Sequence, residues 1–397
     1  MFFLKKARLA GVLALTTALG LSSLVLSQDD KSDKKKVVPP GTPVLWRDPG
    51  NVAARDLAAG PGGDAMKPDV SSITYLKDES GSGYSVKYRV KDAAGKTWVA
   101  KVGNEARPET ASTRLVWALG YTTEVNYLVP CVKIPGAPKP RKKVDMCEGG
   151  GFANVRFEAR PTDVQRTDIW SWQNNPFTGT KEMKGLVVLQ ALLNNWDLKD
   201  DNNKIVARQG DGGGTELHYI ISDLGATFGK TGNFITHSRN EPEKFAKTKF
   251  VEAVEGGRVK FAYDGKNKGL FENITVEDAR WIAGLLAQLT DAQIGDAMRA
   301  ANFNAEEVAL LIPAMRTRID ELVKATGAEK PVMPSAADAT PSPSPSPAPS
   351  AEATPEATPE PTPEPTPATT PTPAPTTMPT PPMTPTPTPT PTPPPHR

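Results

Sequence analysis

From Pro331 to the C-terminus the chain runs PVMPSAADATPSPSPSPAPSAEATPEATPEPTPEPTPATTPTPAP and continues in kind, holding 26 of the 41 prolines. Proline brings no backbone N–H to a helix or a sheet, and the segment has little apolar surface, so residues 331–397 cannot build a core. Repeated Pro-Thr steps favour an extended polyproline rod, a spacer that crosses an envelope layer, contacts cell-wall material or carries sugars on threonine; a disordered tail without a partner fits the composition equally. Whatever folds must do so ahead of residue 331.

The other end subtracts more. MFFLKKAR is short and basic, LAGVLALTTALGLSSLVL is apolar, and Val25 and Ser27 are small enough to precede a cut before Gln28. Residues 1–27 are therefore expected to be a secretory signal peptide; an uncleaved anchor is the alternative, because an apolar run of about 18 residues approaches the length that spans a bilayer. No cysteine follows the run, so lipoprotein modification is not indicated. A polar linker, residues 28–42 (QDDKSDKKKVVPPGT), leads into the folded part. The expected location is the periplasm, the cell surface or the medium.

Residues 43–330 are enough for one two-lobed domain or two small ones. A net charge of +2 gives no nucleic-acid footprint, and the runs Lys34–Lys36 and Arg141–Lys143 read as solvated. The cysteines are Cys131 and Cys147, 16 positions apart with GAPKP between. In an exported chain that pair reads as a disulfide worth roughly 3 kcal/mol. Three histidines make a poor zinc centre.

Between 73 and 103 the sequence alternates with period two around Val86, Tyr88 and Val90, breaks at Asp92–Gly95 and resumes at Thr97, giving a strand and then a hairpin. Pro108 followed by ETASTRLVWALGY predicts a helix, with proline in its first turn and glycine at its end. Two further strands, 126–134 and 151–158, flank the cysteine loop. Lys181 to Leu193 is an apolar helix, KIVAR and ELHYIISD are short strands joined by a glycine turn, and three helices fill residues 276–325, each opened by a capping Thr, Asp or Asn. Strands precede helices, so the fold class is α+β: a strand-rich lobe over 43–161 and a mainly helical lobe over 162–330.

The helix at 181–193 runs into NNWDLKDDNN. A calcium loop aligned on Asp197 fails, because Lys199, Asn202 and Arg208 fall where an acid, a glycine and a glutamate belong. Another spacing fits: Asp197-Leu-Lys199-x-x-Asn202, then a strand ending in Asp223-Leu-Gly. This pattern resembles the catalytic loop and metal-binding segment of the protein-kinase-like superfamily, nearer to its HipA-type, lipid and small-molecule kinases than to conventional protein kinases. The resemblance extends upstream. Lys101 in WVAK sits on the third predicted strand, Glu109 on the following helix would hold it, and Gly81 and Gly83 fall between the first two strands, where a loop would cover phosphates.

The resemblance implies a phosphotransferase. Asp197 would stand near the attacking hydroxyl and Lys199 would steady the transferred phosphate. Asn202 and Asp223 would hold Mg²⁺ or Mn²⁺, with Asn203 as substitute if the register slips by one, while Lys101, Glu109, Gly81 and Gly83 would bind ATP or another nucleotide. Departures are visible: Asn195 and Trp196 precede Asp197 in place of His-Arg, the glycine loop lacks G-x-G-x-x-G, and no A-P-E follows Asp223. Trp196 is expected to brace the loop. The acceptor would be an envelope or secreted protein, lipid or sugar; the competing expectation is a non-catalytic, pseudokinase-like envelope binding module on a proline-rich spacer. Without H-E-x-x-H or G-x-S-x-G, a hydrolase finds no support.

Overall fold

A computed structural model describes residues 38–329 except 82, 211, 233 and 234. The expected signal peptide, most of the linker and the proline-rich tail lie outside the described residues. Among the described residues, no helix is long and apolar enough to cross a membrane.

Period-two alternation builds the first lobe. Strands β2 (Thr74–Asp78), β3 (Val86–Lys91), β4 (Thr97–Val102), β5 (Asn126–Val132) and β6 (Phe152–Ala159) form one antiparallel sheet in the order β2-β3-β4-β6-β5. Val86, Tyr88, Val90, Trp98, Ala100 and Phe157 face its core, which leaves Lys87, Arg89, Val99 and Lys101 on the other side. The β3–β4 turn is fixed by Asp92, whose carboxylate accepts from Lys96 N (2.8 Å) and from the Trp98 indole N–H (2.9 Å). Between β4 and β5, helix α1 (Ala106–Ala118) ends where Gly120 takes φ +93° beside the Arg47 carbonyl, with no room for a side chain.

The second lobe packs helices under a smaller sheet. Strand β7 (Gln165–Asp168), helix α2 (Lys181–Leu192), strands β8 (Asn203–Gln209) and β9 (Thr215–Ile221), helix α3 (Pro242–Ala246) and the hairpin β10 (Val251–Glu255)–β11 (Arg258–Phe261) precede helices α4 (Val276–Leu286), α5 (Asp291–Ala300) and α6 (Ala305–Thr326). Reciprocal capping boxes open the last three at Thr275/Asp278, Thr290/Gln293 and Asn304/Glu307, as the capping residues predict. Strand β1 (Thr42–Val44) lies parallel to β9 at the edge of the sheet β1-β9-β8-β7. Leu45, Val52 and Leu57 then enter the helical core, and Gln293 donates to the Val52 and Arg55 carbonyls, both at 2.8 Å. Residues 43–57, read from the sequence as the start of the strand-rich lobe, thus pack with the helices. Cys131 and Cys147 are joined, their Cα atoms 5.7 Å apart.

Candidate active site

The site begins with the face of the first-lobe sheet that is turned away from its apolar core. Lys101 is only 1 % exposed, and its Nζ meets Glu109 Oε2 at 2.7 Å, Glu105 Oε2 at 3.0 Å and Asp223 Oδ1 at 3.1 Å. Glu109, in the first turn of α1, also pairs with Arg156 at 3.2 Å, and Arg156 pairs with Glu158 at 2.6 Å. Glu158 continues the chain to Arg160 and to Arg166 (2.7 Å), which reaches Glu124. A buried charge is tolerated only when paired, and here the pairs form one connected run across the cleft. Burial pushes the Glu109 carboxyl above the ordinary glutamate value despite Arg156 and Lys101. For Asp223 burial acts the same way, but Lys101, Lys87 and the Gly225 N–H outweigh it and hold its carboxyl below the ordinary aspartate value.

Opposite stands the loop after α2. Arg318 of α6, 3 % exposed, donates to the carbonyls of Leu192 (3.0 Å) and Ala191 (3.3 Å) and to Asn194 Oδ1 (3.3 Å), fixing where the helix stops. Asn194 turns the chain with φ +54°. The Asn195 amide donates to Gln190 Oε1 at 2.9 Å, and Asn195 Oδ1 accepts from Asp197 N at 3.3 Å. Trp196 braces the loop as expected: it is 8 % exposed, its indole N–H donates to the Ser238 carbonyl at 3.0 Å, and its ring lies 3.7 Å from that of His237. The Asn202 amide donates to the Asp197 carbonyl at 2.7 Å, leaving Oδ1 free of that bond, and Lys199 Nζ sits 2.9 Å from Asp197 Oδ2.

Gly83, Lys199, Asn202, Asp197 and Asp223 line one cleft of about 410 Å³ between the lobes. A second cavity of about 660 Å³ opens on the other side of Asp197 and is walled by Tyr84, Trp196, Arg239 and Lys266. The glycine loop is held from outside: Arg141, in the disulfide-closed loop, donates to the carbonyls of Gly81, Ser80 (3.0 Å) and Gly83 (2.7 Å). Asp223 and Asn202 supply the oxygen ligands a hard divalent cation takes. Among the described residues, no group of three or more His, Cys, Asp or Glu side chains is placed to hold a metal by itself. Asn203 cannot substitute for Asn202: it is fully buried, with its amide on the Trp170 carbonyl at 3.0 Å.

Sequence reasoning missed two contributors. Glu105 precedes α1 and joins Lys101, Ser85 and Arg239. Residues 263–267 dock on the loop: Tyr263 Oη donates to Asn195 O (2.9 Å), Lys266 N to Trp196 O (2.9 Å) and Asn267 Nδ2 to Leu198 O (2.6 Å). Lys266 Nζ is then 2.9 Å from Asp197 Oδ1, so two lysines flank that carboxylate. The hint in YDGKN is Gly265, where a Cβ would stand 2.8 Å from Trp196 Cα.

No protein-family model matches the sequence, and no curated protein matches it. Among solved structures the chain is similar to the proinflammatory kinase CtkA of Helicobacter pylori, with 13 % identity over 64 % of this chain and 93 % of that one and a TM-score of 0.37. It is also similar to the Golgi casein kinase with Mn and ADP bound, at 10 % identity over 66 % of this chain and 73 % of that one, TM-score 0.34. A further structure of the Golgi casein kinase gives 11 % identity and a TM-score of 0.33. The five-stranded sheet with its buried Lys101–Glu109 pair, set over a helical lobe that presents Asp197, Asn202 and Asp223, makes this a two-lobed α+β fold.

Proposed function

We propose that the chain is a metal-dependent phosphotransferase. The observation that carries this reading is the meeting of Asp223, Asp197 and Asn202 in one cleft, with Lys101 buried behind Asp223 at 3.1 Å. Phosphoryl transfer asks the protein for positioned cations around phosphate oxygens and one carboxylate near the attacking hydroxyl. Asp197, steadied by Lys199 and Lys266, accepts the proton of an acceptor hydroxyl as its oxygen bonds to the terminal phosphorus of a nucleoside triphosphate and the bond to the bridging oxygen breaks, releasing the diphosphate. Asp223 and Asn202 would hold Mg²⁺ or Mn²⁺, which supplies charge neutralisation on the phosphates when bound. The acceptor is taken to be a hydroxyl of an envelope or secreted protein, lipid or sugar, on the strength of residues 1–27 alone. A binding module without turnover is the second reading, favoured by the closure of Asp197 between two lysines.

Two experiments separate these. Millimolar ATP with Mg²⁺ should raise the melting temperature of the wild type and not of Asp223→Ala, since ligand at about 100 times Kd adds about 2.7 kcal/mol. No stabilisation by any nucleotide sinks the phosphotransferase reading. Label transfer from γ-labelled ATP to envelope extract, lost in Asp197→Ala, then decides for catalysis over binding.

A further inference from the structure

Two lysines in the cleft are left over once its other charges are matched. Alternation along β3 puts Lys87 and Arg89 on the cleft face, and the β3–β4 register sets Lys87 directly across from Lys101. Lys101 is saturated by its three carboxylates, and Arg89 is paired with Glu79 at 2.8 Å. Arg156, Arg160 and Arg166 share Glu158, and Lys199 has Asp197. Among the described residues, Lys87 ion-pairs with no carboxylate. On the floor, Lys204 of β8 is in the same position: its Nζ donates only to the carbonyls of Asp201 (2.7 Å) and Asn203 (3.0 Å).

Both lysines line the 410 Å³ cleft that also holds Asp223 and Asn202, one from each lobe. Two like charges held half-buried across a gap are costly by themselves and become favourable when an anion enters between them. The floor beside Lys204 is the turn that carries Asn202, so an anion there lies next to the expected metal ligands.

We propose that Lys87 and Lys204 clamp a polyphosphate chain between the two lobes, separately from Lys101. The inference rests on the phosphotransferase reading only in taking that chain to be the donor's. A nucleoside triphosphate and an inorganic polyphosphate present the same chemistry to the clamp.

The test is calorimetric binding of ATP with Mg²⁺, and separately of inorganic tripolyphosphate with Mg²⁺, to wild type, Lys87→Met, Lys204→Met and Lys87→Arg, each first shown to be folded by its melting curve. Lys87→Gln and Lys204→Gln replace any methionine variant that does not fold. Each neutral variant is expected to weaken both anions about tenfold or more, while Lys87→Arg, which keeps the charge, stays within about threefold. Wild type that binds ATP and neutral variants that bind it equally well overturn the clamp and leave the phosphotransferase reading standing. Wild type that binds tripolyphosphate but not ATP, with loss in the neutral variants, upholds the clamp and overturns the nucleotide as donor. Wild type that binds neither overturns both.

Discussion

Replacing Lys101 by methionine tests whether the charges under the first-lobe sheet act as a single balanced set. Methionine fills the space of the lysine stem, so packing is nearly kept and only the ammonium is lost. Glu109 retains Arg156 at 3.2 Å and Glu105 retains Arg239, but Asp223 keeps only the Gly225 N–H at 3.1 Å as a direct donor, with Lys87 acting from farther off, and all three carboxylates remain crowded where one cation stood. Breaking a buried pair from one side costs ~3–5 kcal/mol. At ~2–4 °C per kcal/mol for a domain of this size, the melting temperature should fall by roughly 6–20 °C. The direction with pH is the sharper point. In the variant the crowded carboxyls titrate above their unfolded values of about 4, so the folded state holds more protons there than the unfolded state does, and stability is lost as pH rises through the raised values. The deficit relative to wild type should therefore be larger near pH 8 than near about pH 5. Thermal unfolding followed by circular dichroism at both pH values measures it. A fall under about 2 °C, or a deficit that stays constant or widens in acid, would refute the balanced-set argument.

Cys131→Ser with Cys147→Ser should cost about 3 kcal/mol by releasing a 16-residue loop, and should speed proteolytic cutting near Gly81, because Arg141 rides on that loop. Unchanged cutting would separate the disulfide from the glycine loop. Arg318→Met leaves the Leu192 carbonyl and Asn194 Oδ1 without a donor and the Ala191 carbonyl with backbone donors alone, so a loss of about 1–3 kcal/mol is expected in denaturant unfolding. His218, beside Glu216 at 2.9 Å and facing Arg208 and Arg47, is held below the ordinary histidine value chiefly by burial. Its neutral form stabilises the fold, so wild type should lose stability as pH falls below about 6.5, and His218→Gln should lose less over that range.

The part of the site written in a short stretch of chain was legible, and the part assembled by packing was not. Asp197, Lys199 and Asn202 share one loop, Lys101 sits on a strand whose alternation is plain, and Asp223 ends another. The capping boxes of α4, α5 and α6 are likewise local, with both partners within three residues. By contrast β1 is TPV and β7 is QRTD: each is a strand only because β9 or β8 lies beside it, and neither is long enough to show a period. The β10–β11 hairpin could have been read, since VEAVE-GG-RVKF places two glycines, with φ +55° and +75°, between short strands. Apart from Gly265 beside it, nothing local marks Lys266, which is 69 positions from Asp197 and reaches it through the docking of Tyr263 and Asn267.

The parallel strap β1 has a mechanical consequence. Residues 42–57 are anchored among the helices, and so is α1, whose Ala111, Leu115, Val116 and Leu119 share the core of α2, α4, α5 and α6. The chain therefore passes between that core and the first-lobe sheet four times: over 58–72, between β4 and α1, between α1 and β5, and over 160–164. A plate held by one thread can swivel, whereas a plate held at four points keeps its angle. Twist of the sheet over the helices is given up, and a single protease nick between 58 and 72 would leave three of the four ties in place.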